Sequence, residues 1–568
     1  MKKALALLLC AAFVLALLAG CAPEQPKEKP PLPVLKDQFG NSAVGYDAAV
    51  VCADPASARA GLEIMKAGGN AVDAAVAVAF CVGVTEPAMS GIGGSGIMNL
   101  YLAEARKCTS LEYMETLPVA ITPGWYSSAD SRTAKNAAVP SAVMGLLTAL
   151  EQYGTKSRQE VMAPAIRLAR EGFAVSARLS QLISANLKYF SEEAKAVYTR
   201  DGAPWQEGEI MTNPALADTL QAISDGGIEA FYRGALAEKM TADLQKAGSL
   251  MAMSDLAAYT AAERDTISTS YHGYEVVTVS APAQGGYWLL EALNLMELVQ
   301  PEQYEFNSPE YLFLFNECSR LARADAYTFL GDPAFVSLPI DELISKEYAA
   351  RRAALIDTEA PLRVRFGFPK SDLTVEESKH TTHIVVTDPQ GNTVSMTNTL
   401  GNHWGCKFYA PGLGFFYNSH VSNMNHKDPA SPDYIAPGKR VRTTIAPTIV
   451  LKEGKPWMAL GSPGSLAIPP AVAATLNNVI LYGMELQEAI NQPRALGTTR
   501  AEGKSHQLSI ENDLFSAELL QELKVMGYTL DQLGGMDPTV GGIAALIREG
   551  DFVIAAGDPR RQFASAAY

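Results

Sequence analysis

The sequence is poor in cysteine and histidine, and neither residue has the spacing of a metal module. Only seven of the 568 residues are cysteine and seven are histidine, and there is no Cys-x-x-Cys pair. This composition argues against a zinc module. The sequence also lacks Gly-x-Ser-x-Gly and His-Glu-x-x-His, the motifs typical of serine hydrolases and zinc peptidases. No metal and no other cofactor is expected.

Positive charge is also scarce, because 46 Lys and Arg residues accompany 61 Asp and Glu residues and leave a net charge of −15. No basic cluster interrupts this excess, which argues against nucleic acid as a partner. The glycine-rich segment 90–96 lacks the Gly-Lys-Ser/Thr ending of a phosphate-binding loop, so nucleotide binding is not expected. Close packing of one backbone onto another explains its glycines better.

The first twenty residues have the pattern of a secretory signal peptide. Lys2 and Lys3 precede an apolar run over residues 4–18, which is shorter than a membrane-spanning helix requires. Leu18-Ala19-Gly20-Cys21 is similar to a bacterial lipobox, which predicts cleavage before Cys21 and acylation of its thiol. An ordinary signal peptide that contains a cysteine is the alternative.

Proline-rich residues 21–42 follow and predict an extended tether between a membrane and a folded domain. No later run reaches 18 apolar residues. The protein is therefore expected in the bacterial cell envelope, outside the cytoplasm and anchored through the lipid on Cys21. The five remaining cysteines lie mostly in apolar segments and are expected to pack as small hydrophobic residues.

Hydrophobic residues make up 48% of the chain, and their patterns predict one large α/β domain. Asp54-Pro55 begins a helix that Gly68-Gly69 ends, and Asn70 caps a second helix through Val84. Residues 138–355 are mainly helical, with one strand at 271–279. Further strands are predicted at 382–387, 393–400, 444–451 and 457–461, which places a seam near residue 380.

Two segments rich in β-branched residues predict a hairpin that begins at Thr381. Residues 381–387 lead through Asp388-Pro389-Gln390-Gly391-Asn392 into residues 393–399, and such a turn between alternating segments favours antiparallel pairing. If the loop is centred on Gln390, Thr381 lies opposite Thr399, with β-carbons about 4.5–5.5 Å apart. One face then carries Thr381, His383 and Val385 against Thr399, Thr397 and Ser395.

This hydroxyl-rich face has two interpretations. Threonine forms strands well, and cross-strand threonine pairs stabilise sheets by about 0.2–1 kcal/mol. Alternatively, the chain is cut before Thr381, whose hydroxyl becomes a nucleophile and whose new α-amine becomes its base. The ordinary pKa of an α-amine, about 7.7–8.0, suits that task. The charged segment 367–380 before it is typical of an exposed stretch.

The run Thr381-Thr382-His383 with Asp388-x-x-Gly391-Asn392 resembles the start of the small subunit of γ-glutamyltranspeptidases. The resemblance extends in the same order over the chain from about residue 43 onward. Its other matches are Gly68-Gly69-Asn70-Ala71-Val72-Asp73-Ala74-Ala75, Tyr232-x-Gly234, Asp255-Leu256-Ala257-Ala258-Tyr259, Leu330-Gly331-Asp332-Pro333, Gly461-Ser462-Pro463-Gly464, Asp558-Pro559-Arg560 and Ala567-Tyr568.

The resemblance implies the α/β fold of the N-terminal-nucleophile hydrolases, an αββα sandwich of two sheets between helical layers. It implies self-cleavage between His380 and Thr381, giving a large subunit (43–380) and a small subunit (381–568) that remain together as one intertwined heterodimer. Thr381 then attacks a small-molecule amide or peptide, and Thr399 positions its hydroxyl. Backbone N–H groups of Gly464 and Ser465 hold the oxyanion, and water or an amine releases the acyl group.

The substrate-binding residues depart from the family pattern. Met114 replaces an arginine that grips the substrate α-carboxylate, and Asn423 replaces an aspartate that holds the α-amine. Because charge-assisted hydrogen bonds contribute about 1.5–3 kcal/mol each, losing both weakens binding of a free γ-glutamyl group by on the order of 10²-fold. Smaller changes are Gly401 for an asparagine (with Asn402 next to it), Ser465 for a glycine, Thr443-Thr444 for Ser-Ser and Ala467 near a missing basic residue.

Together these patterns predict a self-processing enzyme similar to γ-glutamyltransferases and glutathione hydrolases, whose donor differs from plain glutathione. The alternatives are an acylase or polyglutamate-processing relative, a relative kept for binding alone, and a non-enzymatic solute-binding lipoprotein. A solute-binding protein needs no chain break, so an intact protein of 60.7 kDa would favour it.

Overall fold

The computed structural model describes residues 29–357, 360–361, 380–497 and 506–568. Residues 29–34 have no regular secondary structure, and the chain from Leu35 onward forms one compact unit. The predicted signal peptide, Cys21 and the charged segment 367–379 lie outside the described residues. Within those residues, no helix has both the length and the apolar composition that crossing a bilayer requires.

Two antiparallel sheets of seven strands form the centre of the compact unit. The strands, in chain order, are β1 (Ser42–Gly45), β2 (Ala49–Cys52), β3 (Ser95–Leu102), β4 (Lys107–Tyr113), β5 (Phe173–Ala174), β6 (Thr199–Arg200), β7 (Ala203–Pro204), β8 (Ile210–Met211), β9 (Ala262–Arg264), β10 (Ile267–Tyr271), β11 (Tyr274–Thr278), β12 (His380–Thr387), β13 (Thr393–Gly401), β14 (Thr448–Lys452), β15 (Lys455–Gly461), β16 (Ala495–Leu496), β17 (Gln507–Glu511), β18 (Thr529–Leu533), β19 (Ala544–Glu549), β20 (Phe552–Gly557) and β21 (Ala564–Ala567). The hairpin sheet has the order β21-β2-β12-β13-β3-β4-β9, and the companion sheet has the order β1-β20-β19-β15-β14-β11-β10.

Helices cover the outer faces of both sheets. In chain order they are α1 (Pro55–Lys66), α2 (Ala71–Thr85), α3 (Ala142–Tyr153), α4 (Arg158–Glu171), α5 (Ala177–Asn186), α6 (Glu192–Tyr198), α7 (Pro214–Tyr232), α8 (Ala235–Lys246), α9 (Met253–Ala258), α10 (Gln284–Val299), α11 (Pro309–Phe329), α12 (Ile340–Leu343), α13 (Lys346–Ala353), α14 (Ile468–Ile480), α15 (Leu486–Asn491) and α16 (Ala517–Val525). Helix α2 packs on the hairpin sheet, and α10 packs on the companion sheet.

Three hydrophobic cores follow from these layers. One joins the hairpin sheet to its helices, and a second joins the companion sheet to its own. The third lies between the sheets, where Val51 and Val385 of one sheet face Ile449 and Leu546 of the other. This arrangement confirms the predicted αββα sandwich.

The strands from the two sides of residue 380 alternate in space. Strand β12 pairs with β2 on one side and β13 on the other, and β13 pairs with β3. The companion sheet likewise combines β1, β10 and β11 with strands from the last third of the chain. Each sheet therefore combines strands from both sides of residue 380, so the seam predicted there is a change of pattern along the chain within one fold.

The predicted starts of the first two helices are confirmed. The Asp54 side chain accepts a hydrogen bond from the Ser57 N–H at 2.8 Å, and proline occupies the first turn of α1. The Asn70 side chain accepts from the N–H groups of Val72 and Asp73, and the Asp73 carboxylate accepts from the Asn70 N–H at 2.8 Å. This reciprocal capping box fixes the start of α2.

Two predicted strands differ from the structure. The segment 271–279, predicted as one strand, instead contains the turn of a hairpin and its second strand, β11. His272 and Gly273 form the turn, and both have positive φ, 47° and 86°, as a type I′ turn requires. The strand predicted at 444–451 begins only at Thr448. Pro447 has no N–H for a ladder, and Thr443 pairs instead with Ala283 in an isolated bridge.

The five cysteines within the described residues form no disulfide. Four are buried and Cys108 is half-buried, as expected for packed small hydrophobic residues. Within the part of the chain that the structure describes, no group of three or more His, Cys, Asp or Glu side chains is arranged to hold a metal ion.

The carboxylate of Asp388 joins the hairpin turn to the start of α2. One oxygen accepts from the N–H groups of Gln390 and Asn392 at 3.0 and 2.9 Å. The other accepts from the Asn392 side chain at 2.7 Å and from the Ala71 N–H at 2.9 Å. The hairpin turn 388–392 and the Gly68-Gly69-Asn70-Ala71 segment that begins α2 therefore meet at one buried carboxylate. This carboxylate fixes strands β12 and β13 against the helical layer.

We expect Asp388→Ala to destabilise the protein by about 2–4 kcal/mol, because it leaves buried N–H groups without acceptors. The measurement is the Tm in thermal unfolding. Gln390→Ala is the matched control, since this exposed residue at the same turn contributes its backbone N–H and keeps it. Equal Tm values for the two variants would contradict a structural role for the carboxylate.

Candidate active site

The hairpin places two threonine hydroxyls side by side at the start of β12. Thr381 pairs with Thr399 and the register continues to Thr387 opposite Thr393, as predicted. The Thr381 hydroxyl donates to the Thr399 hydroxyl at 3.4 Å, and the two residues are 2% and 1% exposed. The ladder shifts between His380 and Thr381, so the irregularity lies at the bond where cleavage is predicted.

The Thr399 hydroxyl is held in place by the backbone around it. Its oxygen accepts the Gly401 N–H at 2.9 Å. A Cβ at Gly94 would lie 2.2 Å from the Thr399 carbonyl oxygen, so the glycine-rich segment packs directly on β13. The prediction that these glycines permit close backbone packing is confirmed.

His383 lies on the same face as Thr381, between the two sheets. Its ring nitrogens contact the hydroxyls of Thr397 at 2.8 Å and Ser395 at 3.2 Å. Burial lowers the pKa of His383 to about 3, so the ring stays neutral at physiological pH. A Cβ at Gly461 would lie 2.2 Å from this ring, so the end of β15 crosses the hairpin next to Thr381.

The loop that follows β15 has a strained backbone. Gly464 has a φ of 130°, and Ser465, a non-glycine residue, has a φ of 57°. Non-glycine residues rarely adopt such angles, and they are enriched at functional sites. The Thr444 hydroxyl donates to the Ser465 carbonyl at 3.1 Å. The predicted oxyanion loop thus follows Gly461, which packs against His383 on the face of β12 that carries Thr381.

Thr443, the residue before Thr444, contacts the start of α10. Its carbonyl accepts the Gln284 N–H at 2.8 Å, and its hydroxyl accepts the Ile445 N–H at 3.3 Å. Thr443 and Thr444 are 4% and 7% exposed. Only the Thr444 side chain is thus shown in contact with the loop after β15, whereas the Thr443 hydroxyl contacts its own segment.

Met114 fills the place of the expected arginine with an apolar side chain. The residue is fully buried, and its sulfur accepts the Ser95 hydroxyl at 3.6 Å. Ser95 is in turn the backbone partner of Thr399. The position next to the threonine pair therefore carries no positive charge from residue 114.

Asn423 is held by Arg442. The Arg442 Nε–H donates to the Asn423 carbonyl at 2.6 Å, and the Asn423 side-chain amide donates to the Arg442 carbonyl at 3.4 Å. The guanidinium also donates to Gln284 Oε1 at 3.2 Å and lies 3.5 Å from Asp433. Within the described part of the chain, the Asn423 side-chain oxygen has no hydrogen-bond partner.

Gly401 lies where the backbone leaves no room for a larger residue. It has a φ of 89°, and a Cβ there would lie 2.4 Å from the Ser419 hydroxyl and 3.2 Å from His420 Nε2. The Asn402 N–H donates to the same Ser419 hydroxyl at 2.8 Å. Glycine is therefore required here, and the His420 ring takes the adjacent space.

A buried pair that the sequence analysis missed lies in that space. Glu115 Oε1 and His420 Nδ1 are 2.7 Å apart, and both side chains are fully buried. The two residues are 305 positions apart in the chain, so neither spacing nor periodicity predicts the contact. The available signal was Glu115 itself, a charged residue two positions after the buried end of β4.

Comparisons with known proteins agree with this geometry. The family model for γ-glutamyltranspeptidase matches residues 57–568. The glutathione hydrolase proenzyme of Pseudomonas sp. (strain A14) is 35% identical over 466 residues, which cover 78% of this chain and 80% of the relative. The acylase ACY 1 proenzyme of Pseudomonas sp. (strain SE83) is 36% identical over 468 residues, which cover 80% and 83%.

Among solved structures, the cephalosporin acylase from Bacillus halodurans superposes with a TM-score of 0.83 at 25% identity. The match covers 96% of this chain and 99% of that protein. Sequence relatives, solved structure and family model thus agree along almost the whole folded unit. The chain belongs to the γ-glutamyltranspeptidase family.

Proposed function

We propose that the chain is a self-processing threonine amidohydrolase and acyltransferase in which Thr381 is the nucleophile. The observation that carries this proposal is the buried contact between the Thr381 and Thr399 hydroxyls at the start of β12. The family membership supports it, because the curated relatives named above are proenzymes. Processing would yield subunits 43–380 and 381–568, which the alternating strands hold together.

Self-cleavage begins when Thr381 Oγ1 attacks the carbonyl carbon of His380. The peptide nitrogen leaves with a proton, so the acyl group moves from nitrogen to oxygen and forms an ester. Water hydrolyses that ester, which gives a carboxylate at His380 and a free α-amine on Thr381. Thr399 orients the attacking oxygen, because it accepts the Thr381 hydroxyl while the Gly401 N–H fixes its own oxygen.

The same hydroxyl then attacks the substrate amide with the new α-amine as its base. The amine accepts the hydroxyl proton and passes it to the leaving nitrogen, and the acyl group remains on Thr381 as an ester. We assign stabilisation of the tetrahedral oxyanion to the backbone N–H groups of Gly464 and Ser465, an effect of about 2.7–4 kcal/mol per donor in other hydrolases. Water or an amine then takes the acyl group.

The donor is proposed to differ from an unmodified γ-glutamyl compound. Met114 offers no charge to an α-carboxylate, and Asn423 offers a neutral amide where the family has an aspartate. The 36% identity to an acylase proenzyme favours an acylase as the second candidate function. Both candidates share the threonyl ester and differ only in the acyl group.

Thr381→Ala is expected to remain one uncut chain without amidase activity, because it has neither nucleophile nor new terminus. The wild-type protein should yield a small chain that begins at Thr381, as intact-mass spectrometry would show. Thr382→Val serves as the control, since this neighbour lies on the opposite face of β12 and should still permit cleavage. A cut and active Thr381→Ala protein would refute the assignment.

The activity should rise with pH through one inflection, because only the unprotonated amine of Thr381 accepts a proton. Its ordinary pKa of about 7.7–8.0 sets the expected range. The pKa of His383, lowered to about 3 by burial, places its titration far below that range. In a pH profile of kcat/KM, a self-cleaved His383→Gln enzyme should keep the inflection. Loss of the inflection in His383→Gln would instead identify the imidazole as the base.

We also propose that the mature protein is a lipoprotein of the cell envelope, anchored through Cys21. The signal pattern and the lipobox-like sequence support this assignment. In a bacterial host, Cys21→Ser should move the protein from the membrane fraction to the soluble fraction and remove the lipid from its N-terminal peptide. Cys10→Ser, within the signal peptide, is the control. Membrane association unchanged by Cys21→Ser would exclude the anchor.

A further inference from the structure

The loop after β15 is seated on a second segment that contains two glycines. The Gly542 N–H donates to the Ser462 hydroxyl at 3.0 Å, and that hydroxyl donates to the Pro463 carbonyl at 2.6 Å. A Cβ at Gly464 would lie 3.0 Å from the Gly541 Cα. Ser462 is fully buried. Its hydroxyl therefore links the start of the loop to the backbone on which the loop packs.

Asp558 and Arg494 hold the backbone on both sides of these glycines. The Asp558 carboxylate accepts the Ile543 N–H at 2.9 Å, and the Asp558 N–H donates to the Ile543 carbonyl at 2.8 Å. The Arg494 guanidinium donates to the same carboxylate at 2.7 Å and to the Val540 carbonyl at 3.4 Å. One buried ion pair therefore fixes the residue before the glycines and the residue after them.

This ion pair belongs to a buried set of four charges. Arg560 donates twice to Glu511, at 2.7 Å in both contacts, and lies 3.3 Å from Asp558. Glu511 also accepts the Arg494 N–H at 2.9 Å. Burial alone would raise the pKa of Asp558, but Arg494 and Arg560 lower it below its ordinary value. The carboxylate is therefore ionised and accepts hydrogen bonds at both of its oxygens.

The loop needs a fixed support because its backbone adopts a conformation that serine rarely takes. Ser465 has a φ of 57°, and a non-glycine residue stays in this region only where the surrounding structure holds it there. Backbone donors stabilise a developing oxyanion most when they are already in position, because the reaction then needs no reorganisation. A small displacement of the loop should therefore slow the chemical step for any acyl group.

We propose that Ser462 is a positioning residue, whose hydroxyl holds the oxyanion loop (residues 463–465) in the geometry that binds the oxyanion. The buried charges of Asp558 and Arg494 fix the segment to which that hydroxyl is anchored. This inference rests on the proposed function, because it concerns the oxyanion that forms when Thr381 attacks a substrate.

Ser462→Ala removes the hydroxyl and tests the proposal directly. The probes are p-nitrophenyl acetate, butanoyl p-nitroanilide and glutaryl p-nitroanilide, and the rate of Thr381→Ala is subtracted as background. We expect kcat/KM per cleaved molecule to fall by about tenfold or more, because every probe passes through an oxyanion. The factor should be the same for each probe that the wild type hydrolyses. A loss confined to one acyl group, or no loss, would overturn the proposal.

Ser319→Ala is the matched control for the loss of a buried hydroxyl. The Ser319 hydroxyl also accepts one N–H at 3.0 Å, from Trp288 Nε1, and the residue is also buried. Both variants therefore leave one buried donor without its acceptor, and we expect similar decreases of Tm. Ser319→Ala should keep the kcat/KM of the wild type. Equal activity losses in the two variants would show that Ser462 only stabilises the fold.

Ser462→Cys provides a second variant that changes the shape of the side chain less. A thiol is a weak donor and a weak acceptor, so we expect kcat/KM to fall by about threefold or more, again uniformly across the probes. If Ser462→Ala does not fold, this variant decides the question. Wild-type kcat/KM in a folded Ser462→Cys protein would then overturn the proposal.

Failure of this inference is distinguishable from failure of the proposed function. Self-cleavage is read by mass spectrometry before any probe is added, and Ser462→Ala should still be cut, because the contact between Thr381 and Thr399 does not include Ser462. A Ser462→Ala chain that stays uncut would overturn the assignment to the substrate oxyanion. An uncut or inactive wild-type chain contradicts the proposed function itself. A cleaved, active wild type with an equally active Ser462→Ala contradicts only the role of Ser462.

Discussion

The antiparallel pairing of β12 between β2 and β13 is the constraint on which the site depends. It places Thr381 at the start of the strand with its hydroxyl against Thr399. The ladder with β13 holds this end of β12, and β2 pairs with its other end, from Val385 to Thr387. A break before residue 381 frees a terminus without freeing the strand. A nucleophile that is also a chain end can therefore keep a fixed position, which acyl transfer requires.

The hairpin register was predictable from sequence, because strand periodicity and the turn around Asp388 specify which residues face each other. The starts of the first two helices were predictable for a similar reason. The capping side chains of Asp54 and Asn70 accept hydrogen bonds from N–H groups no more than three residues away. The turn at His272-Gly273 was missed because only the glycine signals a positive φ there. Features that depend on contacts between residues close in sequence could therefore be predicted from local sequence patterns.

The Glu115–His420 pair could not be predicted in this way, because it joins residues 305 positions apart. The same holds for the order of the strands in the two sheets, which combine segments from both sides of residue 380. Long-range pairing decides both features, and it leaves no periodic trace in the chain. The substituted positions 114 and 401 lie next to this pair, Met114 in sequence beside Glu115 and Gly401 in space beside His420.

Those substitutions are physically coupled, which changes how they should be interpreted. Gly401 is required by the close approach of Ser419, and the missing side chain leaves the space that His420 occupies. His420 in turn holds Glu115, which follows the neutral Met114. The substituted positions and the threonine pair belong to one packed unit, because the Gly401 N–H donates to the Thr399 hydroxyl and Met114 contacts Ser95, the strand partner of Thr399. A substitution at position 114 or 401 is therefore transmitted to the oxygen that accepts the Thr381 hydroxyl.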